Sequence, residues 1–353
     1  MRKLTRKINV GSVPIGGDSP ISVQSMLTVP LENTAAASEQ ISALARAGCD
    51  IVRAAVPSDA AAEALASVKK TSALPIVADI HFDWRLAIAA VRAGADKIRV
   101  NPGNIGGQEN VKKVAQSCRA AGIPIRVGVN GGSVPKDILD AFGGEITPQA
   151  LVKIALRELE TLADCGFFDV CLSVKSSSVP VMIESYRLLS AQTDAPLHLG
   201  VTEAGGRENG VIASSVGIGA LLADGIGDTI RVSLTADPVY EVKAGLSILH
   251  ALGLREGGFR VISCPTCGRT RCDVIGLAEA VEQKLSELPQ PKNTIEVAVM
   301  GCAVNGPGEA KHAAFGAACG DGMAVLFRER ELVGQCREDE IVQRIIAFAQ
   351  EAQ

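Results

Sequence analysis

Between residues 21 and 235 the apolar and polar positions fall into one repeated unit. Each unit opens with a short β-branched apolar run that ends in polar residues. An Ala- and Leu-rich stretch with helical spacing follows. Eight such runs predict strands: "ISVQSM" (21–26), "CDIVRAAV" (49–56), "LPIVADIHF" (74–82), "DKIRVNPGN" (96–104), "IPIRVGVNGG" (123–132), "DVCLSVKSS" (169–177), "LHLGVTEAG" (197–205) and "TIRVSLT" (229–235). Stretches such as "ASEQISALARAG", "DWRLAIAAVRAG" and "PVYEVKAGLSILHALG" carry the helical period. Eight β-then-α units in about 250 residues is the count of a (β/α)8 TIM barrel. A doubly wound open sheet is the competing topology, and the near-even repeat favours closure.

After "LGLREGG" (252–258) the pattern changes. "FRVISC", a helix near 273–287, "TIEVAVMG", "GMAVLF" and a helix near 338–352 predict a smaller α+β unit. The expected division is a barrel domain over 1–252, a linker over 253–260 and a C-terminal domain over 261–353.

Charge and apolar length remove two classes of partner. The formal net charge is −4 with no long basic run, which argues against nucleic acid. No apolar run approaches 18 residues and the first ten lack a signal-peptide core, so no membrane span is expected and the chain reads as cytoplasmic. The ten cysteines are then expected reduced. Cys49, Cys118, Cys165 and Cys171 lie in apolar element patterns and read as small buried hydrophobes. Cys264, Cys267 and Cys302 lie instead in Gly/Pro-rich loop sequence.

TIM-barrel sites are built at the C-terminal ends of the strands. Arg53, Arg99, Arg126, Lys175 and Arg231 each place a cation near such an end. Alternation puts Arg99 and Asn101 on one side of their strand, and Arg126, Gly128 and Asn130 on one side of theirs. Cations converging on one mouth repel unless an anion joins them, and guanidinium forks match phosphate oxygens, so a phosphate or diphosphate is the expected ligand. Structural pairing with carboxylates is the plainer alternative for any one of them. Asp79 and Glu203 are the acidic groups at the same ends, able to guide a substrate or move protons. His81 could do so too, although a lone histidine reads more readily as a packed or hydrogen-bonded bystander.

"SCPTCGR" sets Cys264 and Cys267 three positions apart, and "GCAVNGPGE" supplies Cys302 and Glu309. Structural zinc takes four Cys or His ligands, the fourth here being Cys272, Cys319, Cys336 or His312. Iron–sulfur clusters use thiolates too, often beside a proline. The spacing alone leaves both open, and Glu309 by itself reads as a solvated loop acid.

"PISVQSM", "AGCDIVR", "ADIHFDWRLA", "DKIRVNPGNIG", "HLGVTEAG", "GIGDTIRVSLT", "SCPTCGR" and "VAVMGC-VNGPGEA" together make the chain resemble the bacterial 4-hydroxy-3-methylbut-2-enyl diphosphate synthases. The resemblance runs from about Val10 to beyond Phe327. It implies an oxidoreductase of the methylerythritol phosphate route that reductively opens 2-C-methyl-D-erythritol 2,4-cyclodiphosphate, losing water. It implies a [4Fe-4S] cluster held by Cys264, Cys267, Cys302 and Glu309. Arg53, Arg99, Asn101, Arg126, Asn130, Lys175, Arg231 and Ser233 then bind the substrate, and Glu203, Asp79 and Glu309 serve the chemistry. It further implies flavodoxin or ferredoxin as electron donor, and a homodimer in which one subunit's cluster domain closes over the partner's barrel. The chain departs from the family pattern with "LTVPLEN" after "VQSM", with Ser178 for an aspartate, with Ala314 in "AAFG", and with Cys319 for a glycine. Two rival readings are a redox-independent barrel transferase for a pterin or phosphosugar with a structural zinc, and a non-catalytic diphosphate sensor.

Overall fold

The computed structural model of the protein describes residues 2–101, 105–302, 308 and 310–352. In the first unit, Met1–Arg255, eight strands form one parallel sheet. A two-stranded hairpin precedes them, β1 (Ile8–Val10) with β2 (Val13–Ile15), paired antiparallel. The sheet strands are β3 (Ser22–Met26), β4 (Ile51–Ala55), β5 (Ile76–Ile80), β6 (Lys97–Val100), β7 (Ile125–Asn130), β8 (Val170–Lys175), β9 (His198–Leu199) and β10 (Thr229–Ile230). Their order is β8-β7-β6-β5-β4-β3-β10-β9, and a parallel bridge between Leu172 of β8 and Leu197 beside β9 joins the two edges. The barrel is therefore closed, as the eightfold repeat predicts.

Helices follow the strands: α1 (Thr34–Arg46), α2 (Asp59–Thr71), α3 (Trp84–Arg92), α4 (Gln108–Ala121), the short α5 (Lys136–Ala141), α6 (Pro148–Asp164), α7 (Val179–Gln192), α8 (Arg207–Ala223) and α9 (Pro238–Ala251). Local chemistry sets several starts. The Ser58, Asp83, Thr147 and Asp237 side chains accept backbone N–H groups at the first turns of α2, α3, α6 and α9, and proline opens α6 and α9.

Two features differ from the sequence expectation. First, β9 and β10 hold two residues each where 197–205 and 229–235 were expected to be extended. At Gly200 an added Cβ would lie 2.7 Å from the Arg231 carbonyl oxygen, and single bonds replace a ladder there: Arg231 N to Leu199 O (2.9 Å) and Thr202 N to Ser176 O (3.3 Å). Second, the β1–β2 hairpin packs Ile8, Val10 and Ile15 against Ile51, Val77 and Cys171 from the early part of β4, β5 and β8. It closes the end of the barrel opposite the expected site, and its three-residue strands are too short for a periodicity signal.

The second unit, Glu256–Gln353, is a five-stranded sheet. β11 (Phe259–Ser263), β12 (Ile295–Met300) and β13 (Phe315–Cys319) run parallel, and β14 (Met323–Arg328) and β15 (Glu331–Arg337) continue antiparallel. Helices α10 (Val274–Glu287) and α11 (Ile341–Glu351) bury Val281, Leu285, Ile341 and Ile345 against Val297, Val299, Phe315 and Ala317. Leu254 packs on the barrel core, Arg255 pairs with Asp50 at 2.6 and 3.0 Å, and β11 has begun by Phe259.

A cationic barrel mouth and a thiol-bearing loop pair

The cations in the strand runs do converge. Arg53 on β4, Arg99 on β6, Arg126 on β7 and Lys175 at the end of β8 are buried, and Arg231, just past β10, is largely so. Asp79 on β5 is level with Arg99 across the ladder, and Arg99 with Arg126. The Asp79 carboxylate accepts from Arg99 Nη1 at 3.0 Å, and it lies 3.6 Å from Arg53 Nε and 3.3 Å from His81 Nε2. Burial alone would push this carboxyl up, but Arg53, the hydrogen bond to His81, and Arg99 hold it well below the usual carboxylate range. Asp79 is thus a fixed anion that orients two arginines.

A second carboxylate, Glu241 of α9, accepts from Arg231 Nη2 at 3.2 Å and Nε at 3.4 Å. Arg126 and Lys175 have no carboxylate partner among the described residues. Burial first, then the neighbouring arginines, lowers Arg126 to about 10 and Lys175 well below its ordinary value. Arg126 Nε and Nη1 and Arg99 Nε also lack hydrogen-bond partners there. Among the described residues, five cations against two carboxylates, with guanidinium donors unused, leave the mouth with an excess of positive charge that an anion would offset. Two glycines make room for it: an added Cβ would lie 2.6 Å from Arg99 Nε at Gly128 and 2.8 Å from Lys175 Nζ at Gly200.

The remaining expected residues share this end of the barrel. Asn101 is buried just past β6, Asn130 ends β7, and Ser233 is half-buried two residues after Arg231. Glu203 is exposed in the loop after β9, with φ at +55°, a left-handed conformation that costs a non-glycine residue energy. It takes part in none of the mouth's ion pairs.

Deeper in the barrel lie polar groups that the sequence reading passed over. His198 and Lys97 are fully buried, and both His198 ring nitrogens and Lys97 Nζ lack partners among the described residues. Burial lowers Lys97 to about 8. Lys97→Met is therefore expected to raise stability by about 3 kcal/mol at pH 7, measured by chemical denaturation. In the wild type the unfolded chain binds this proton more tightly than the folded one. The advantage of Lys97→Met should accordingly shrink as pH rises from 8 towards about 10.4. An equal or lower stability of the variant would show that Lys97 has a stabilising partner. Glu241 escaped notice because a glutamate in "PVYEVKAG" looks like a solvated helix face.

In the second unit, β11 and β12 are adjacent and parallel, so Cys264 and Cys302 leave neighbouring strand ends. Gly301 N donates to Cys264 Sγ at 3.2 Å. Cys267 is exposed, its N–H bonded to Thr270 Oγ1 at 3.1 Å. Glu309 lies outside the described residues. Among the described residues no three His, Cys, Asp or Glu side chains are already gathered around one metal position. The donor set itself, thiols at two adjacent strand ends with a backbone N–H on one sulfur, suits an iron–sulfur cluster. The alternative zinc ligands suit a metal less. Cys319 and Cys336 are buried, and Cys319 is hydrogen-bonded to Cys272, with burial pushing its thiol upward. Among the other departures, Ser178 precedes α7 with its N–H on Ser176 Oγ, and the Ala314 backbone pairs with Glu296 and Glu329. Of the cysteines expected in the core, Cys49, Cys118 and Cys171 are buried, whereas Cys165 is half-buried at the end of α6.

Fold and site together define a TIM-barrel protein with a cationic mouth and an appended thiol-bearing α+β domain. The GcpE TIM-barrel domain matches residues 5–246 and the GcpE protein C-terminal domain matches residues 260–351. The chain belongs to the GcpE family. It is 53% identical over 346 residues to the 4-hydroxy-3-methylbut-2-en-1-yl diphosphate synthase (flavodoxin) of Caldanaerobacter subterraneus subsp. tengcongensis, covering 98% of this chain and 96% of that one. The enzyme of the same name from Geobacter sulfurreducens is 49% identical over 347 residues, covering 98% and 97%. Among solved structures, the type I 3-dehydroquinate dehydratase of Clostridium difficile covers 71% of this chain and 98% of its own, with a TM-score of 0.53 at 14% identity. That last likeness is one of barrel fold alone. No helix among the described residues is long and apolar enough to cross a membrane.

Proposed function

We propose that the chain reductively opens 2-C-methyl-D-erythritol 2,4-cyclodiphosphate to 4-hydroxy-3-methylbut-2-enyl diphosphate and water, in the cytoplasm, on the methylerythritol phosphate route to isoprenoid precursors. The observation that carries the reading is the cationic mouth: five cations, two carboxylates and unused guanidinium donors. The names of the near-full-length relatives support the substrate class, and favour flavodoxin over ferredoxin as electron donor. A [4Fe-4S] cluster held by Cys264, Cys267, Cys302 and Glu309 would supply the electrons one at a time. The family resemblance supports a homodimer in which one subunit's cluster domain serves its partner's barrel.

The chain's own residues then divide the work. Arg126 and Lys175, without carboxylate partners among the described residues, grip the diphosphate. Arg53 and Arg99, already aimed by Asp79, and Arg231, aimed by Glu241, complete the clamp. Asn101, Asn130 and Ser233 add hydrogen bonds at the rim. Asp79, held ionised, orients the clamp and is poorly suited to giving up a proton. Glu203, exposed beside the mouth, is the group to protonate the departing hydroxyl as water.

Glu203→Gln is expected to lower turnover by about a hundred- to ten-thousand-fold while leaving substrate affinity near that of the wild type. Anaerobic turnover and calorimetric binding on the same preparations measure the two separately. Weaker binding with unchanged turnover of bound substrate would remove the proton-donor role.

A further inference from the structure

Glu241 makes more contacts than an ion pair requires. Its Oε2 accepts from Ser25 Oγ at 2.9 Å and from Arg231 Nε at 3.4 Å. Its Oε1 accepts from Arg231 Nη2 at 3.2 Å and from the Leu234 backbone N–H at 3.1 Å. One buried carboxylate therefore ties α9 to β3, to the Arg231 guanidinium, and to the backbone next to Ser233.

The packing explains how a helix residue reaches so far in. Arg53 directs its guanidinium to Met26 Sδ inside the barrel, so Ser25, by alternation, faces the helix layer, as does Val23. An added Cβ at Gly245 would lie 3.1 Å from Val23 Cγ1, so α9 lies close on β3 at that point. Glu241 is one turn before Gly245 on the same helix face, and it meets Ser25, two residues beyond Val23 on the same strand face. It thus reaches Arg231 from the helix layer outside the strands.

We propose that Glu241 is a positioning residue that fixes the Arg231 guanidinium and the Leu234 backbone for diphosphate, without itself touching the ligand. The inference rests on the reading of the mouth as a diphosphate site. Removing a nearby negative charge by itself favours anion binding, whereas losing the orientation of Arg231 opposes it. Glu241 holds the guanidinium through both carboxylate oxygens with two further donors, Ser25 Oγ and Leu234 N, committed to it, so orientation is expected to dominate.

The test is a double-mutant cycle for inorganic diphosphate and the cyclic substrate, titrated by calorimetry into reconstituted full-length protein: wild type, Glu241→Gln, Arg231→Ala and the pair. Glu241→Gln should weaken binding about tenfold and raise KM more than it lowers kcat. In the Arg231→Ala background it should cost nothing further. Glu241→Asp, which keeps the charge, guards against a folding failure of the amide and should show a smaller loss that also vanishes without Arg231. Unchanged or tighter binding by Glu241→Gln, or losses that simply add, would overturn the positioning role while Arg231→Ala still weakened binding. If Arg231→Ala bound as well as wild type, the diphosphate reading of the mouth would fail first, and this inference with it.

Discussion

Asp79→Ala is expected to lower stability by about 3–5 kcal/mol, the largest effect of any single substitution in the barrel mouth. Asp79 is 2% exposed and is the carboxylate facing both Arg53 and Arg99, themselves 8% and 4% exposed. Deleting it leaves two buried guanidinium groups without an anion, in a mouth that Arg126 and Lys175 already make too positive. Asp79→Asn should come close to the alanine variant, because shape is kept and charge is lost. The pH dependence has a defined sign. A carboxylate whose folded-state pKa lies below its unfolded value near 3.9 stabilises fully above that pH, and its contribution fades as pH falls further. The gap between wild type and Asp79→Ala should therefore be constant above about pH 4 and close below it. Denaturant melts at several pH values measure it. A gap under about 1 kcal/mol, or one indifferent to acid, would mean that water rather than Asp79 screens the arginines.

Cys264→Ser is expected to abolish cluster binding, with loss of iron-dependent absorbance and a fall in turnover of more than about a hundredfold. A serine hydroxyl does not ionise as a thiol does, so the soft anionic donor disappears. The Gly301 N–H at 3.2 Å from the sulfur is then left facing a poorer acceptor. Cys165→Ser is the matched control. Its half-buried Sγ donates to Thr161 O at 3.2 Å, a bond that serine can copy, so iron content and turnover should stay at the wild-type level.

The barrel mouth was readable because a cation inside a β-branched run is an exception that energetics must explain. Arg53, Arg99, Arg126 and Lys175 each interrupt such a run, and the structure gathers them with Asp79 as alternation implies. Glu241 was not readable. Its burial depends on α9 lying close to β3 at Gly245, a fact of packing rather than of local pattern. Lys97 and His198 were passed over for a related reason, since a residue at the start of a strand run reads as solvent-exposed until closure of the barrel buries it. In the smaller unit, β13 is an Ala/Gly-rich run with little β-propensity, and β15 is an exposed edge without alternation, so neither announced itself. Cys264 and Cys267 stood out from their loop composition. Glu309 came only from family resemblance, because a single acid in a Gly/Pro loop carries no signal of its own.

The measurement that bears most directly on the central claim is anaerobic turnover of 2-C-methyl-D-erythritol 2,4-cyclodiphosphate by the reconstituted protein with reduced flavodoxin. The wild type should yield 4-hydroxy-3-methylbut-2-enyl diphosphate and water, and Cys264→Ser neither. An iron-loaded wild type that binds the cyclic diphosphate yet leaves it intact, even with a stronger low-potential reductant, would contradict the account and leave a diphosphate sensor in its place.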